Sequence, residues 1–220
     1  MNYIYTQNPV DSAADTLTAT LRQRLKNGER VLWLLSGGSS LDIATKVSQN
    51  LADLELSKLS VSLTDERYGP IGHSDENWQM LLDHGLNLPG ADLYRPLNGL
   101  DRKHAAIDFN DWLSNKLANS DYRIGIFGMG SDGHTSGIKP GSPAVESSDL
   151  VTEFTGDDFE RITTTPAAIS QLDEAVVQIS GQNKAEQLNR LLDKDLAISV
   201  QPAQALKTIP LVNIYTDIKL

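Results

Sequence analysis

The chain has 220 residues, 40% of them hydrophobic and 22% charged, proportions that suit one globular domain over residues 1–220 and exclude a disordered or fibrous chain. Its formal net charge is −10, from 19 Lys and Arg against 29 Asp and Glu, so the surface repels nucleic acid and anionic lipid, and neither is an expected partner. There is no cysteine, which excludes disulfides, thiolate metal sites and a cysteine nucleophile.

The first ten residues lack a basic stretch followed by an apolar one, so no signal peptide is expected. No run approaches the ~18 apolar residues of a bilayer span, and the expected location is the cytoplasm. Residues 3–5 are strand-like. Val31-Leu32-Trp33-Leu34-Leu35 is apolar on both faces, the pattern of a parallel strand covered by helices. Ser36-Gly37-Gly38-Ser39 ends it, and residues 41–54 read as a helix. Residues 59–63 alternate with period two and run into the polar Thr64-Asp65-Glu66-Arg67. Ser74 is placed to cap a helix with Asp75 and Glu76 in its first turn. Residues 102–117 read as a helix and residues 122–127 as a strand, broken by Gly128-Met129-Gly130-Ser131-Asp132-Gly133. Residues 161–165 and 175–179 are strand-like. A helix from Gly181 to about Leu192 and a last strand over 210–215 complete the chain.

Strand, loop and helix alternating at this spacing predict a doubly wound α/β fold: a mostly parallel, Rossmann-like sheet with helices on both faces. Such sheets bind ligands beyond the carboxyl ends of their strands. Residues 36–39, 64–69 and 128–141 each follow a strand, so all three are predicted on one rim.

Ser36-Gly37-Gly38-Ser39 is either a tight strand-to-helix turn or an anion cradle of backbone N–H groups at a helix start. It has neither Walker nor GxGxxG spacing. In the trio Asp65-Glu66-Arg67, Arg67 offers a fork of donors to phosphate and Asp65 an acceptor for sugar hydroxyls; the alternative is a solvated loop. The most specific stretch runs from Gly128 through His134 to Thr135. Three glycines in six residues imply positive φ or close backbone approach to a ligand, and His134, two residues from Asp132, is suited to take a proton near neutral pH. His73, His84 and His104 lack paired ligand spacing, so no metal is expected. Ser39 sits in no GxSxG elbow. Arg161 and Lys184 are solvated charges or further anion contacts.

These stretches, in this order, resemble the superfamily of 6-phosphogluconolactonases and glucosamine-6-phosphate deaminases over residues 31 to about 215. The lactonase branch is favoured by Asp65-Glu66-Arg67 where deaminases read Asp-Glu-Tyr, by Asn77, by Asp132-Gly133-His134-Thr135 where deaminases end in Ile, and by Arg161-Ile162-Thr163. No acid occurs in residues 136–140, where deaminases place one. The chain departs from the lactonase pattern at Ser40-Leu41, at Ser136-Gly137-Ile138-Lys139-Pro140 in place of Ala-Ser-Leu-Phe-Pro, and at Asn213.

The resemblance implies hydrolysis of 6-phospho-D-glucono-1,5-lactone to 6-phosphogluconate, a step of the pentose phosphate pathway, with no cofactor and no metal. His134 is then the general base, and Asp132 orients either the loop or the imidazole. The implied substrate contacts are Ser36, Gly37, Gly38, Ser39, Asp65, Arg67, Gly130, Arg161 and Lys184, and the implied partner is a small phosphosugar lactone. Monomer and homodimer both stay open. One alternative is a glucosamine-6-phosphate deaminase or isomerase, with Asp65 as its only obvious proton carrier. Another is a non-catalytic phosphosugar-binding protein; the strand-like residues 3–5 leave no room ahead of them for the DNA-binding module of sugar-responsive regulators.

Overall fold

A computed structural model of the chain describes residues 1–220. A seven-stranded sheet is built from β1 (Asn2–Tyr5), β2 (Val31–Leu35), β3 (Leu59–Leu63), β5 (Asp92–Leu93), β6 (Tyr122–Gly128), β9 (Glu174–Ile179) and β10 (Leu211–Thr216). Its order is β1-β10-β9-β6-β2-β3-β5 and every pairing is parallel. The doubly wound reading therefore holds.

Strand pleat sorts the apolar residues between two cores. Val31, Trp33 and Leu35 of β2, with Val61, Ile124 and Val176, pack under α1 (Pro9–Lys26), α2 (Leu41–Asn50) and α3 (Asn77–Asp83). Leu32 and Leu34, with Phe127 and Val177, point the other way, toward α4 (Arg102–Asn119), α5 (Pro166–Ile169) and α6 (Ala185–Asp193). Helices on both faces explain why β2 is apolar at every position. α1 has no counterpart among the expected elements, although Pro9 at its first turn and buried Ala13, Ala14, Leu17 and Leu21 at helical spacing carry its signal.

A second, antiparallel sheet of order β4-β8-β7 was also not expected; it joins β4 (Asp65–Arg67), β8 (Glu160–Thr164) and β7 (Val151–Thr155). The polar trio read as a loop is thus a short strand, with Asp65 opposite Thr163 and Arg67 opposite Arg161. Nothing local to residues 64–69 specifies that partner, which lies nearly a hundred residues away.

The start of α3 corrects another expectation. Ser74 caps nothing, and Asp75 and Glu76 precede the helix, with Glu76 at the N-cap position and no side-chain cap from it. The first N–H groups of the helix, on Asn77 and Trp78, donate instead to the buried Glu66 carboxylate of β4 at 2.7 and 3.0 Å. Glu76 turns its carboxylate to Arg95 at 2.5 and 2.7 Å. A buried acid from another element thus does the work of a local cap.

Candidate active site

All strands of the large sheet end on one rim. There the segments after β2 and β6, neighbours at the sheet centre, meet the segment after β3, and β4 follows it directly. A cavity of about 270 Å³ opens at this point. Only two of its 17 lining residues, Met129 and Phe159, are hydrophobic, so it is shaped for a polar ligand. Four cations, Arg67, Lys139, Arg161 and Lys184, face two carboxylates, Asp65 and Asp158. In a chain of net charge −10 this is a local reversal of sign, and it favours an anion.

Ser36, Gly37, Gly38, Ser39, Asp65, Arg67, Gly130, His134, Arg161 and Lys184 all line this cavity, so segments far apart in the chain converge as expected. Asp132 is not on its wall but behind the imidazole. Its Oδ1 accepts the His134 backbone N–H at 3.1 Å and lies 2.5 Å from Nδ1. It therefore braces both the loop and the ring, which spacing alone left undecided. Partial burial raises the Asp132 carboxyl, but the His134 N–H and imidazole, with the Lys139 ammonium, outweigh this and hold it below its ordinary value.

Two glycines make the loop possible in different ways. Gly133 has φ of +83°, a conformation that L side chains resist. Gly130 is needed for space, since a Cβ there would lie 2.1 Å from His134 Nδ1. Gly37 plays the same part on the facing turn, where a Cβ would lie 2.1 Å from Asn77 Oδ1.

The Ser36 hydroxyl is less free than expected. It donates to the Ile126 carbonyl at 2.8 Å and meets Thr64 Oγ1 at 2.8 Å, which ties the ends of β2, β3 and β6 together. What the turn offers a ligand is Gly37 to Ser39 at the start of a helical run, where the first N–H groups have no helical acceptor.

Arg161 is buried between Asp158, whose Oδ2 accepts from Nη2 at 2.7 Å, and Asp65, 3.8 Å from Nη1. Burial raises the Asp158 carboxyl, but its bond to Arg161 and the charges of Arg161 and Lys139 bring it down to about 2. Burial dominates at Asp65 and raises it against the pull of Arg161 and Thr64. The Phe159 ring lies 4.6 Å from the Arg67 guanidinium and 5.5 Å from that of Arg161, a shelf beneath both. The Nε atoms of Arg67 and Arg161 are buried with no partner in the protein. The two guanidinium groups that line the cavity suit a multidentate oxyanion. Lys184 is half-buried; burial lowers its pKa and Asp217 partly offsets this.

Asn77, Lys139, Asp158 and Phe159 also line the cavity and were not among the expected contacts. Asn77 and Lys139 were visible as points of likeness and departure. Asp158 and Phe159 sit on the β7–β8 turn, which reads in sequence only as a polar reversal. No group of three or more His, Cys, Asp or Glu side chains is arranged to hold a metal ion, and no helix is long and apolar enough to cross a membrane.

The Glu66 carboxyl just behind the site has a consequence for stability. Burial pushes it up to about 8 from its ordinary 4.5, against the backbone N–H groups of Trp78, Asn77 and Arg67. A pKa raised on folding contributes stability that is present below 4.5 and lost as pH rises through 8. Glu66→Gln turns an amide N–H₂ toward those donors and costs about 1–3 kcal/mol at pH 5. The gap to wild type then closes and reverses toward pH 8, as measured by urea unfolding at both pH values; a constant gap would show that Glu66 is ionised throughout.

The family described as glucosamine-6-phosphate isomerases/6-phosphogluconolactonase matches the chain over residues 6–211. The chain is 28% identical over 195 residues to a 6-phosphogluconolactonase of Pseudomonas aeruginosa, covering 81% of this chain and 79% of that one. It is 27% identical over 192 residues to a rice (Oryza sativa subsp. indica) protein named "Probable 6-phosphogluconolactonase 4, chloroplastic", covering 78% of this chain but only 59% of the rice protein. Among solved structures, a 6-phosphogluconolactonase from Shewanella baltica superposes with a TM-score of 0.81 at 21% identity, covering 98% of this chain and 96% of the other. One from Thermotoga maritima gives 0.82 at 19% identity, covering 97% of each. These two establish the common fold.

Proposed function

The chain belongs to the glucosamine-6-phosphate isomerase/6-phosphogluconolactonase family, and on that premise we propose that residues 1–220 act as one domain that hydrolyses 6-phospho-D-glucono-1,5-lactone to 6-phosphogluconate. One observation carries the reading. An imidazole braced by a carboxylate shares a cavity with two guanidinium and two ammonium groups in a chain of net charge −10. The lactonases among its relatives support the choice of substrate.

In this reading Arg67, Arg161, Lys184 and the turn from Gly37 to Ser39 hold the phosphate, which brings the remote lactone carbonyl beside His134. Asp132 accepts the Nδ1 proton, so Nε2 is left as the acceptor. His134 removes a proton from water as its oxygen bonds to the carbonyl carbon. The tetrahedral species then collapses, the bond to the ring oxygen breaks, and the imidazolium returns the proton to that oxygen. The net change is addition of one water across the ester bond. Asp65 is buried and engaged by Thr64 and Arg161, which suits holding sugar hydroxyls better than carrying protons between carbons.

The reading is tested on lactone generated in the assay, as acceleration over its spontaneous hydrolysis. Ammonia release from glucosamine 6-phosphate in place of lactone hydrolysis would favour the deaminase branch, and binding without turnover of either would favour a sensor. Arg67→Ala is expected to raise KM about 10- to 100-fold, as loss of charge-assisted hydrogen bonds to phosphate predicts, with little change in kcat. An unchanged KM would remove Arg67 from the phosphate site. The cysteine-free composition and the sugar-phosphate substrate support a cytoplasmic location, and the acidic surface argues against a nucleic-acid partner.

A further inference from the structure

Lys139 lines the cavity beside Asp132 and Asp158. Its ammonium lies 3.5 Å from Asp132 Oδ2 and 3.6 Å from Asp158 Oδ2. The other oxygen of Asp132 holds His134 Nδ1 at 2.5 Å, and Asp158 Oδ2 holds Arg161 Nη2 at 2.7 Å. One cation is thus shared by the carboxylate that braces the imidazole and the carboxylate that braces the buried arginine. From these contacts we propose that Lys139 is a positioning residue that acts on His134 through Asp132, fixing the carboxylate's rotation and reducing the negative charge it presents to the ring. The catalytic consequence rests on the reading of His134 as general base; the electrostatic coupling does not.

Held only through Oδ1, by the backbone N–H and ring of His134, the Asp132 carboxylate could still turn about its terminal bond and would offer the imidazolium its whole charge. A cation on the far oxygen opposes that rotation and cancels part of the attraction. The protonated ring is then less favoured, and the neutral ring, the form able to accept a proton, persists to lower pH. Other charges also face the imidazole: Asp65 across the cavity, with Arg67, Arg161 and Lys184 on its walls and Asp158 behind Lys139. All of these stay in place when Lys139 alone is neutralised, so any change reports the shared carboxylate. One unit charge several Å away, in a medium between protein and water, shifts a titration by on the order of half to one pH unit.

The test uses the full-length protein carrying Lys139→Met, Lys139→Glu or Lys139→Arg, with Lys139→Gln as a second neutral variant should the methionine variant fold poorly. The His134 ring proton, assigned by its absence in His134→Gln, is followed by NMR between about pH 4.5 and 8.5 without substrate, a range that spans the ordinary histidine titration. The midpoint is expected to rise by about half to one pH unit in Lys139→Met, to rise further in Lys139→Glu, and to stay at the wild-type position in Lys139→Arg. In the lactonase assay the acid limb of kcat/KM moves in the same direction while KM changes little. An unmoved midpoint in a folded neutral variant overturns the proposal. So does a rise in KM with an unmoved acid limb, which would make Lys139 a substrate contact. If the midpoint moves but the wild-type protein hydrolyses no lactone, the coupling stands and the proposed function is what fails.

Discussion

Replacing His134 by alanine is expected to lower kcat for lactone hydrolysis by about 10²–10⁴-fold, the usual contribution of one general base, and to leave affinity for 6-phosphogluconate near its wild-type value. The two effects separate because the groups proposed to hold the phosphate belong to other elements: Arg67 to β4, Arg161 to β8 and Lys184 to the approach to α6. The ring is also partly exposed, with 34% of its side chain accessible, so its removal leaves no buried cavity. Initial rates with and without enzyme, corrected for spontaneous opening, give kcat, and calorimetric titration with the product gives affinity. Near-normal turnover would end the assignment of His134 as the base. Loss of product binding as well would mean that the ring anchors the ligand.

Gly130→Ala is expected to reach about a 10²-fold loss of activity without replacing any reacting group. Gly130 does not have a positive φ, so the backbone accepts alanine and the conflict is with side chains alone. The new methyl would lie 2.1 Å from His134 Nδ1, 2.2 Å from Cε1 and 2.6 Å from Asp132 Oδ1. The ring and the carboxylate cannot both stay, so the 2.5 Å contact between them is lost. A displacement of about 1 Å in a group that must meet a water and a carbonyl together costs roughly two orders of magnitude. The cost to folding is of similar size, about 1–3 kcal/mol for an overpacked site. Thermal unfolding and steady-state kinetics on the same preparation separate the two. A variant with wild-type kcat would show that the imidazole works from elsewhere than its observed position.

These two predictions also mark where reading the sequence stops. The strand at Val31–Leu35 is legible because five successive apolar residues can be buried only between two covered faces. The glycine-rich loop after β6 is legible because three glycines so close together signal unusual backbone. Which glycine serves conformation and which serves space is not, since Gly130 and Gly133 look alike until His134 folds back over one of them. α1 was legible in principle, as its buried residues recur at helical spacing. The capping of α3 was not: Ser74 has the right residue type for a local cap, but a carboxylate from β4 reaches the N–H groups first.

The chain's own order of residues determined most strands of the large sheet, its rim and a chemical inventory of one glycine-flanked histidine near an aspartate, with several cations in an acidic protein. Periodicity and glycine placement act over a few residues and need no partner to be read. The tertiary structure alone decided which charges meet. Arg161 lies beside Asp65 only because β8 pairs antiparallel with β4, and Lys139 bridges Asp132 and Asp158 only because the loop after Thr135 folds onto that small sheet. Long-range pairing of this kind is set by the packing of the whole chain rather than by local propensity, so three of the four cations of the cavity could be named from the sequence, but the cavity could be assembled only from the fold.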